Sequence, residues 1–214
     1  METENNLPQL NLEEQRVLGV LIEKSKTTPD YYPLTLNALV TACNQKSARN
    51  PVVDFDEETV ITAIDSLKKK QLVASVIGGG SRSLKYRHTI SVAYSLDLAE
   101  ASVICLLLLR GPLTPGEIKS NAGRLYDFDG LDEVNAILEN LSNADNSFVK
   151  LLPKKTGQKE ARYVHLFGEV FSVEENSSEG TIHTGKLEER VQMLENELAL
   201  LKAAFDSLVK ELKG

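Results

Sequence analysis

Two copies of one unit make up most of this sequence, and the repeat limits the possible folds more than any other feature. Three short motifs occur twice, at offsets of 79, 73 and 77 residues. The pairs are Pro33-Leu34-Thr35 with Pro112-Leu113-Thr114, Asp54-Phe55-Asp56 with Asp127-Phe128-Asp129, and Tyr86-Arg87-His88 with Tyr163-Val164-His165. Self-similarity at a near-constant offset indicates tandem copies of one structural unit.

Both copies predict the same order of elements. Capping-box patterns and apolar periodicity indicate the helices, and β-rich runs on either side of turn residues indicate hairpins. The first copy predicts helices from Asn11, after Pro33 and from Asp56, and strands at 72–77 and 84–90 around Gly78-Gly79-Gly80. The second copy predicts helices from Asp97, Thr114 and Asp129, and strands at 148–152 and 162–167.

The order of three helices followed by a hairpin is that of a winged helix-turn-helix domain. The predicted fold class is therefore mainly α with small β-hairpins (α+β), with two tandem winged helix-turn-helix domains and a C-terminal coiled-coil helix. The predicted boundaries are residues 1–92 and 93–168 for the two domains, 169–185 for an acidic linker and 186–214 for the helix.

The last segment of the chain carries an unbroken heptad pattern. Its apolar residues alternate spacings of four and three, which is typical of a coiled-coil seam. They are Leu187, Val191, Leu194, Leu198, Leu201, Phe205, Leu208 and Leu212. In a parallel pair, Arg190 would face Glu195 of the second helix and Glu197 would face Lys202, so we expect a homodimer. The alternative is a helix that folds back on its own chain.

Several sequence runs resemble those of a known family. They are Pro33-Leu34-Thr35, the segment 41–47 with Arg49 and Pro51, the segment 107–111, the segment 124–128 and the segment 162–167. Together they resemble the YceH-like family of uncharacterised bacterial proteins, over almost the whole chain. The resemblance implies a tandem winged-helix fold and a bacterial cytoplasmic origin. It supplies no function.

The sequence lacks the patterns that indicate an enzyme. The three histidines, His88, His165 and His183, fall in two predicted strands and the linker, so their spacing suggests neither a catalytic triad nor a metal site. The run Gly78-Gly79-Gly80 lacks the Lys-Ser/Thr ending of a phosphate-binding loop and is better explained as a turn. We therefore expect no catalysis, no cofactor and no metal.

Cysteine usage and hydropathy indicate where the chain resides. Cys43 and Cys105 lie far apart among apolar neighbours, so we interpret both as small buried side chains. The longest apolar run, Val103–Leu109, has seven residues, whereas a membrane span needs roughly 20. The N-terminus has acids and amides in place of a secretory signal. We expect a cytoplasmic protein with no membrane partner.

Charge argues for local rather than general binding of nucleic acid. The net charge of −7 does not suit a non-specific nucleic-acid coat, because such proteins replace phosphate counterions with cations. A local patch remains, and it consists of Arg82, Lys85 and Arg87 on the first hairpin and Lys46 and Arg49 after the second helix. These side chains are the predicted contacts to double-stranded DNA.

The start of each third helix argues in the opposite direction. This turn would enter the major groove, yet it is acidic in both copies: Asp54, Asp56, Glu57 and Glu58 in the first, and Asp127, Asp129, Asp132 and Glu133 in the second. Two hypotheses follow. The first is a dimeric DNA-binding or transcription-regulatory factor that uses its basic hairpins. The second is a protein-interaction module similar to the tandem winged-helix subunit of bacterial chromosome-condensation complexes.

Overall fold

The computed structural model describes residues 7–77, 83–143, 147–154 and 160–168. Residues 78–82, which include Arg82 and the predicted turn of the first hairpin, lie outside these ranges. The predicted linker at 169–185 and the predicted helix at 186–214 lie outside them as well. The two repeats are therefore the part of the sequence whose structure is described.

Helices alternate with small antiparallel sheets in a mixed α and β fold. The first repeat contains α1 (Leu12–Thr27), a 3-10 turn (Pro29–Tyr31), β1 (Leu34–Thr35), α2 (Leu36–Cys43), α3 (Glu57–Lys69), β2 (Val73–Ile77) and β3 (Leu84–His88). The short helix α4 (Ile90–Ala93) follows. The second repeat contains α5 (Leu98–Arg110), α6 (Pro115–Ala122), α7 (Leu131–Asn143), β4 (Val149–Leu151) and β5 (Tyr163–His165).

Side-chain caps set most helix starts as the sequence predicts. Capping boxes join Asn11 to Glu14 at α1 and Asp97 to Glu100 at α5. A third capping box joins Thr114 to Glu117 at α6. The Asp56 carboxylate accepts a hydrogen bond from the Thr59 N–H at α3, at 2.8 Å. These bonds satisfy backbone N–H groups that have no partner inside the helix.

Helix α7 begins two residues later than the predicted start at Asp129. The Asp129 N–H donates to a Glu133 carboxylate oxygen at 2.7 Å. The other oxygen of Glu133 accepts from the Tyr126 hydroxyl at 2.9 Å. Asp129 therefore lies in the turn before the helix, and Gly130 separates it from Leu131.

Strand pairing is equivalent in the two repeats. In the first repeat β3 pairs with β2 and with the two-residue strand β1, so that Leu34 lies opposite Tyr86. In the second repeat β4 pairs with β5, and Leu113 forms an isolated bridge to Tyr163. Two of the three repeated motifs thus occupy equivalent pairing positions, with Leu34 opposite Tyr86 in the first repeat and Leu113 opposite Tyr163 in the second. The pattern alone did not predict β1, because two residues are too few to show a period.

The first helices of the two repeats, α1 and α5, pack against each other. Every residue of α1 from Glu14 to Ile22 is buried, and so is every residue of α5 from Ala101 to Leu109. Gly19 permits the close approach, since a Cβ atom there would lie 2.8 Å from Leu109 Cδ2. From Val17 to Ile22 and from Val103 to Leu109 these helices are apolar on all sides, and such a stretch belongs in a core. One continuous apolar core therefore joins the two repeats.

The N-terminal segment adds backbone contacts to the second repeat. The Leu10 N–H donates to the Phe167 carbonyl at 2.6 Å. Gly168 has a φ of +142°, and a Cβ atom there would overlap the Leu10 carbonyl oxygen. Phe167 also packs with Tyr94 and Phe148. Contacts group Met1–Val173 into one unit, and the boundary between residues 92 and 93 stays a prediction.

Candidate nucleic-acid interface

Lys85 and Arg87 lie on the same face of β3. Side chains alternate along a strand, so Tyr86 points into the core, where it is 8% exposed, and its two neighbours point away from it. Arg87 is exposed and Lys85 is partly exposed. Across the sheet, Lys85 is opposite Val76 and Arg87 is opposite Ala74. Neither cation forms a hydrogen bond or an ion pair with a described residue.

Lys46 is exposed in the segment that joins α2 to α3. This segment is held in place at both ends by Asn44. The Asn44 side-chain amide donates to the Phe55 carbonyl at 2.8 Å, and its oxygen accepts from the Phe55 N–H at 2.8 Å. Lys46 thus projects from a fixed segment, and its ammonium group has no described partner.

Arg49 does not belong to the exposed basic surface. Its side chain has no solvent exposure. The guanidinium donates to both carboxylate oxygens of Glu23, at 2.9 and 2.7 Å, and also to the Ala42 carbonyl and the Gln45 side chain. A cation with these partners anchors the segment after α2 to α1. We therefore leave Arg49 out of the candidate interface.

The carboxyl group of Glu23 stays ionised beside Arg49. Burial raises the pKa of Glu23, but the hydrogen bonds and positive charge of Arg49 and the nearby Lys24 outweigh it, so the pKa lies below its ordinary value. An ion pair that excludes water costs desolvation energy on both sides. Its bidentate geometry offsets that cost and fixes the position of the segment.

A second buried cation, Arg16, holds the same segment, and the sequence patterns did not predict it. It has 0% exposure and lies in the second turn of α1. Its guanidinium donates to the carbonyl of Pro51, at 2.5 Å, and to that of Cys43, at 3.4 Å. Burial and the charge of Arg49 lower the pKa of Arg16 to about 10. Arg16 follows the polar run Glu13-Glu14-Gln15 and directly precedes the apolar run 17–22, so no signal in the sequence indicates that it is buried.

The third helices are acidic at their N-terminal ends, whereas the C-terminal end of α3 carries the exposed Lys68 and Lys69. In α3 the exposed positions include Glu57, Glu58 and Asp65. In α7 they include Asp132 and Glu139. Carboxylates at a helix N-terminus complement the helix dipole, and they repel phosphate. The basic face of β3 and Lys46 are therefore better placed for nucleic acid than the start of either third helix.

The two strand histidines are neutral structural residues. Burial lowers the pKa of His165 to about 4, and burial together with the charges of Lys26 and Arg87 lowers the pKa of His88 to about 4. His88 Nε2 is 3.2 Å from the Ser25 hydroxyl. Nδ1 of each ring has no hydrogen-bond partner among the described residues.

We expect these histidines to make the protein less stable as the pH falls from 6.5 to about 4.5. The unfolded chain binds protons with the ordinary pKa of 6.5, whereas the folded chain does not, so stability rises with pH across this window. His165 is 2% exposed, so it stays unprotonated in the folded chain over this window. Across about two pH units this lowers the free energy of unfolding by about 2 to 3 kcal/mol. In His165→Leu, the fall in urea-unfolding free energy across this window should shrink by about that amount. A pH profile parallel to wild type would contradict this expectation.

Several other kinds of site are absent from the part of the chain that the structure describes. There, no group of three or more His, Cys, Asp or Glu side chains is placed to hold a metal ion. No helix there is long and apolar enough to span a bilayer. Cys43 and Cys105 are free and buried, as predicted. Burial raises the pKa of Cys43 to about 12 and also raises that of Cys105, which makes both thiols poor nucleophiles.

The described part of the chain is a mixed α and β protein of seven helices and small antiparallel sheets. The chain belongs to the family described as "Protein of unknown function, DUF480", whose model matches residues 10–158. It is 47% identical over 199 residues to a UPF0502 protein of Solibacter usitatus, covering 92% of this chain and 95% of the relative.

Other relatives extend the match to nearly full length. The UPF0502 protein YceH of Escherichia fergusonii is 44% identical over 210 residues, covering 95% of this chain and 98% of the relative. A UPF0502 protein of Shewanella sp. (strain W3-18-1) is 42% identical over 219 residues, covering 95% and 99%. These findings confirm the YceH-like resemblance. None of the three names states an activity.

Proposed function

We propose that this protein is a dimeric DNA-binding regulator built from two tandem winged-helix domains. The observation that carries the proposal is a pair of cations, Lys85 and Arg87, that lie on one face of β3 and have no partner among the described residues. Phosphate contacts from such side chains position a protein on duplex DNA without reading its sequence. Lys46 adds a third cation from the segment after α2.

The order of elements supports a winged-helix assignment for each repeat. Each has three helices, a hairpin, and an extended residue before the second helix that pairs with the last strand. In such domains the hairpin lies beside the duplex. Arg82, the third cation predicted for this hairpin, lies outside the described residues.

Dimerisation is the part of the proposal that comes from the sequence alone. The eight apolar residues of the heptad seam, from Leu187 to Leu212, lie outside the described residues. A homodimer would bring two weak basic surfaces to one duplex, and the second contact would benefit from a raised local concentration. Linkage of this kind would compensate for the net negative charge of the chain.

A duplex-binding assay tests the proposal. We expect Lys85→Ala/Arg87→Ala to weaken binding to a random-sequence duplex roughly tenfold at moderate salt. The slope of log K against log salt should fall by about two, because each of the two cations neutralises one phosphate. The matched control is Arg110→Ala/Lys119→Ala, which also removes one arginine and one lysine, from the end of α5 and from α6, and leaves both hairpins unchanged. Equal affinity and slope for wild type and the β3 variant would contradict the assignment.

A second candidate function is a protein-interaction module. The exposed faces of the third helices favour it, because they combine carboxylates with apolar side chains. Ile61 on α3 is 41% exposed and Leu131 on α7 is 49% exposed. Such a surface suits a basic protein partner better than a phosphate backbone. A wild-type chain that fails to bind duplex at about 50 mM salt, where phosphate contacts are strong, would favour this candidate over the first.

A further inference from the structure

A cleft of about 390 Å³ lies at the junction of the two repeats. Its walls are the end of α1, the segment after α2, the end of α5 and the end of α6. Small-molecule sites commonly have volumes of about 300 to 1,000 Å³ and occur where two structural units meet. The cleft is thus large enough for a small ligand, and it is separate from the basic face of β3.

Positive side chains predominate around this cleft. Lys24, Arg110 and Arg124 line it, and Glu23 is its one carboxylate among the described residues. That carboxylate is already bound by Arg49, at 2.7 and 2.9 Å. The guanidinium groups of Arg110 and Arg124 form no hydrogen bond or ion pair with a described residue. Two arginines are therefore available to bind a ligand.

Helix C-termini also point towards the cleft, and their partial negative charge opposes an anion. Local hydrogen bonds satisfy much of that charge. Asn50 donates to the carbonyls of Leu109 and Arg110, at 2.9 and 3.3 Å. The Thr28 N–H donates to the Lys24 carbonyl at 3.2 Å. The side-chain cations are full charges, so the environment of the cleft favours an anion.

Part of the lining is apolar. Leu106, Leu109 and Leu125 contribute to it and are between 2% and 8% exposed. The hydroxyl groups of Thr27 and Ser47 lie in the same lining. A ligand that suits these walls combines an anionic group with a short apolar body.

We propose that the cleft binds a small organic phosphate ester, with Arg110 and Arg124 on the phosphate and the leucines against its apolar part. Two guanidinium groups match a phosphate dianion better than a carboxylate, because each forms a pair of parallel hydrogen bonds to its oxygens. The site does not depend on DNA binding. The ligand would bind at the junction of the two repeats, apart from the proposed DNA-binding surface.

Phenyl phosphate and inorganic phosphate are the probes that test the site. Calorimetric titration of the full chain, at ionic strength matched with chloride, should show saturable binding of phenyl phosphate and weaker binding of inorganic phosphate. Arg110→Gln/Arg124→Gln should raise the dissociation constant for phenyl phosphate by about tenfold or more, since it removes both charged hydrogen-bond donors. The melting temperature without ligand should stay near that of wild type, since neither arginine has a described partner.

Two comparisons make the result specific. Lys119→Gln, which removes a cation from α6 outside the cleft, should bind phenyl phosphate as wild type does. Binding of random-sequence duplex by Arg110→Gln/Arg124→Gln should match wild type. No saturable binding of phenyl phosphate, or the same affinity in wild type and the double variant, would overturn the proposal. A loss of duplex affinity with unchanged phenyl phosphate binding would also overturn it, since the arginines would then serve the phosphate backbone.

Discussion

Replacement of Glu23 by alanine is expected to lower the free energy of unfolding by about 3 to 5 kcal/mol. The change removes the carboxylate that binds Arg49, whose side chain has no solvent exposure. A buried guanidinium left without a counterion costs far more than the pair contributes when intact. The buried guanidinium of Arg16 lies nearby, and its positive charge repels that of Arg49.

The contrast with an exposed ion pair tests the role of burial. Asp65 pairs with Lys68 at 3.2 Å, where the side chains are 58% and 41% exposed. Asp65→Ala should change stability by less than about 1 kcal/mol, because exposed pairs contribute little. Glu23→Gln should be nearly as harmful as Glu23→Ala, since it keeps the volume and loses the charge. Urea unfolding measures all three, and a loss below about 1 kcal/mol for Glu23→Ala would refute the assigned role.

Replacement of Gly19 by leucine is expected to cost about 3 kcal/mol or more. A Cβ atom at this position would lie 2.8 and 2.9 Å from Leu109 side-chain atoms and 3.2 Å from Leu108 Cβ. Added atoms in a packed core force side chains and backbone to shift, typically at about 1 to 3 kcal/mol for small additions. Leucine adds a whole branched side chain at the contact between α1 and α5, so the repeats would have to separate.

Gly116 provides the matched control for this substitution. It also lies in a helix, and the nearest atom to a Cβ there is the Thr114 hydroxyl, at 3.9 Å. Gly116→Leu should be neutral or stabilising by up to about 1 kcal/mol, because leucine has the higher helix propensity. The melting temperature of Gly19→Leu should therefore fall well below that of wild type, whereas that of Gly116→Leu should stay the same or rise. Equal changes in melting temperature for the two variants would contradict the role of Gly19 in the packing of α1 against α5.

Local sequence signals predicted the order of elements in both repeats. Capping residues act on neighbours three positions away, so the starts of α1, α3, α5 and α6 follow from the sequence. The start of α7 was two residues off, because the Glu133 carboxylate binds Asp129 and Tyr126 outside the helix. The strand β1 exists only through its pairing with β3, which comes much later in the chain.

The exposure of the predicted cations follows from the sequence only in part, and their contact with nucleic acid stays a prediction. Alternation along β3 places Lys85 and Arg87 on one face, and a two-residue period is visible in the sequence. Arg49 shows where this reasoning fails. A cation in a polar segment resembles a surface residue, and only the fold brings Glu23 of α1 within 2.7 Å of it.

The sequence alone determined the duplication, the helix caps and the alternation of the strands. Each of these depends on residues close together in the chain, or on a comparison of the chain with itself. The tertiary structure alone decided which charges are buried, how closely α1 and α5 pack at Gly19 and where the cleft between the two repeats lies. Those features depend on contacts between distant segments, such as Gly19 with Leu109, and no local pattern encodes the distance between them.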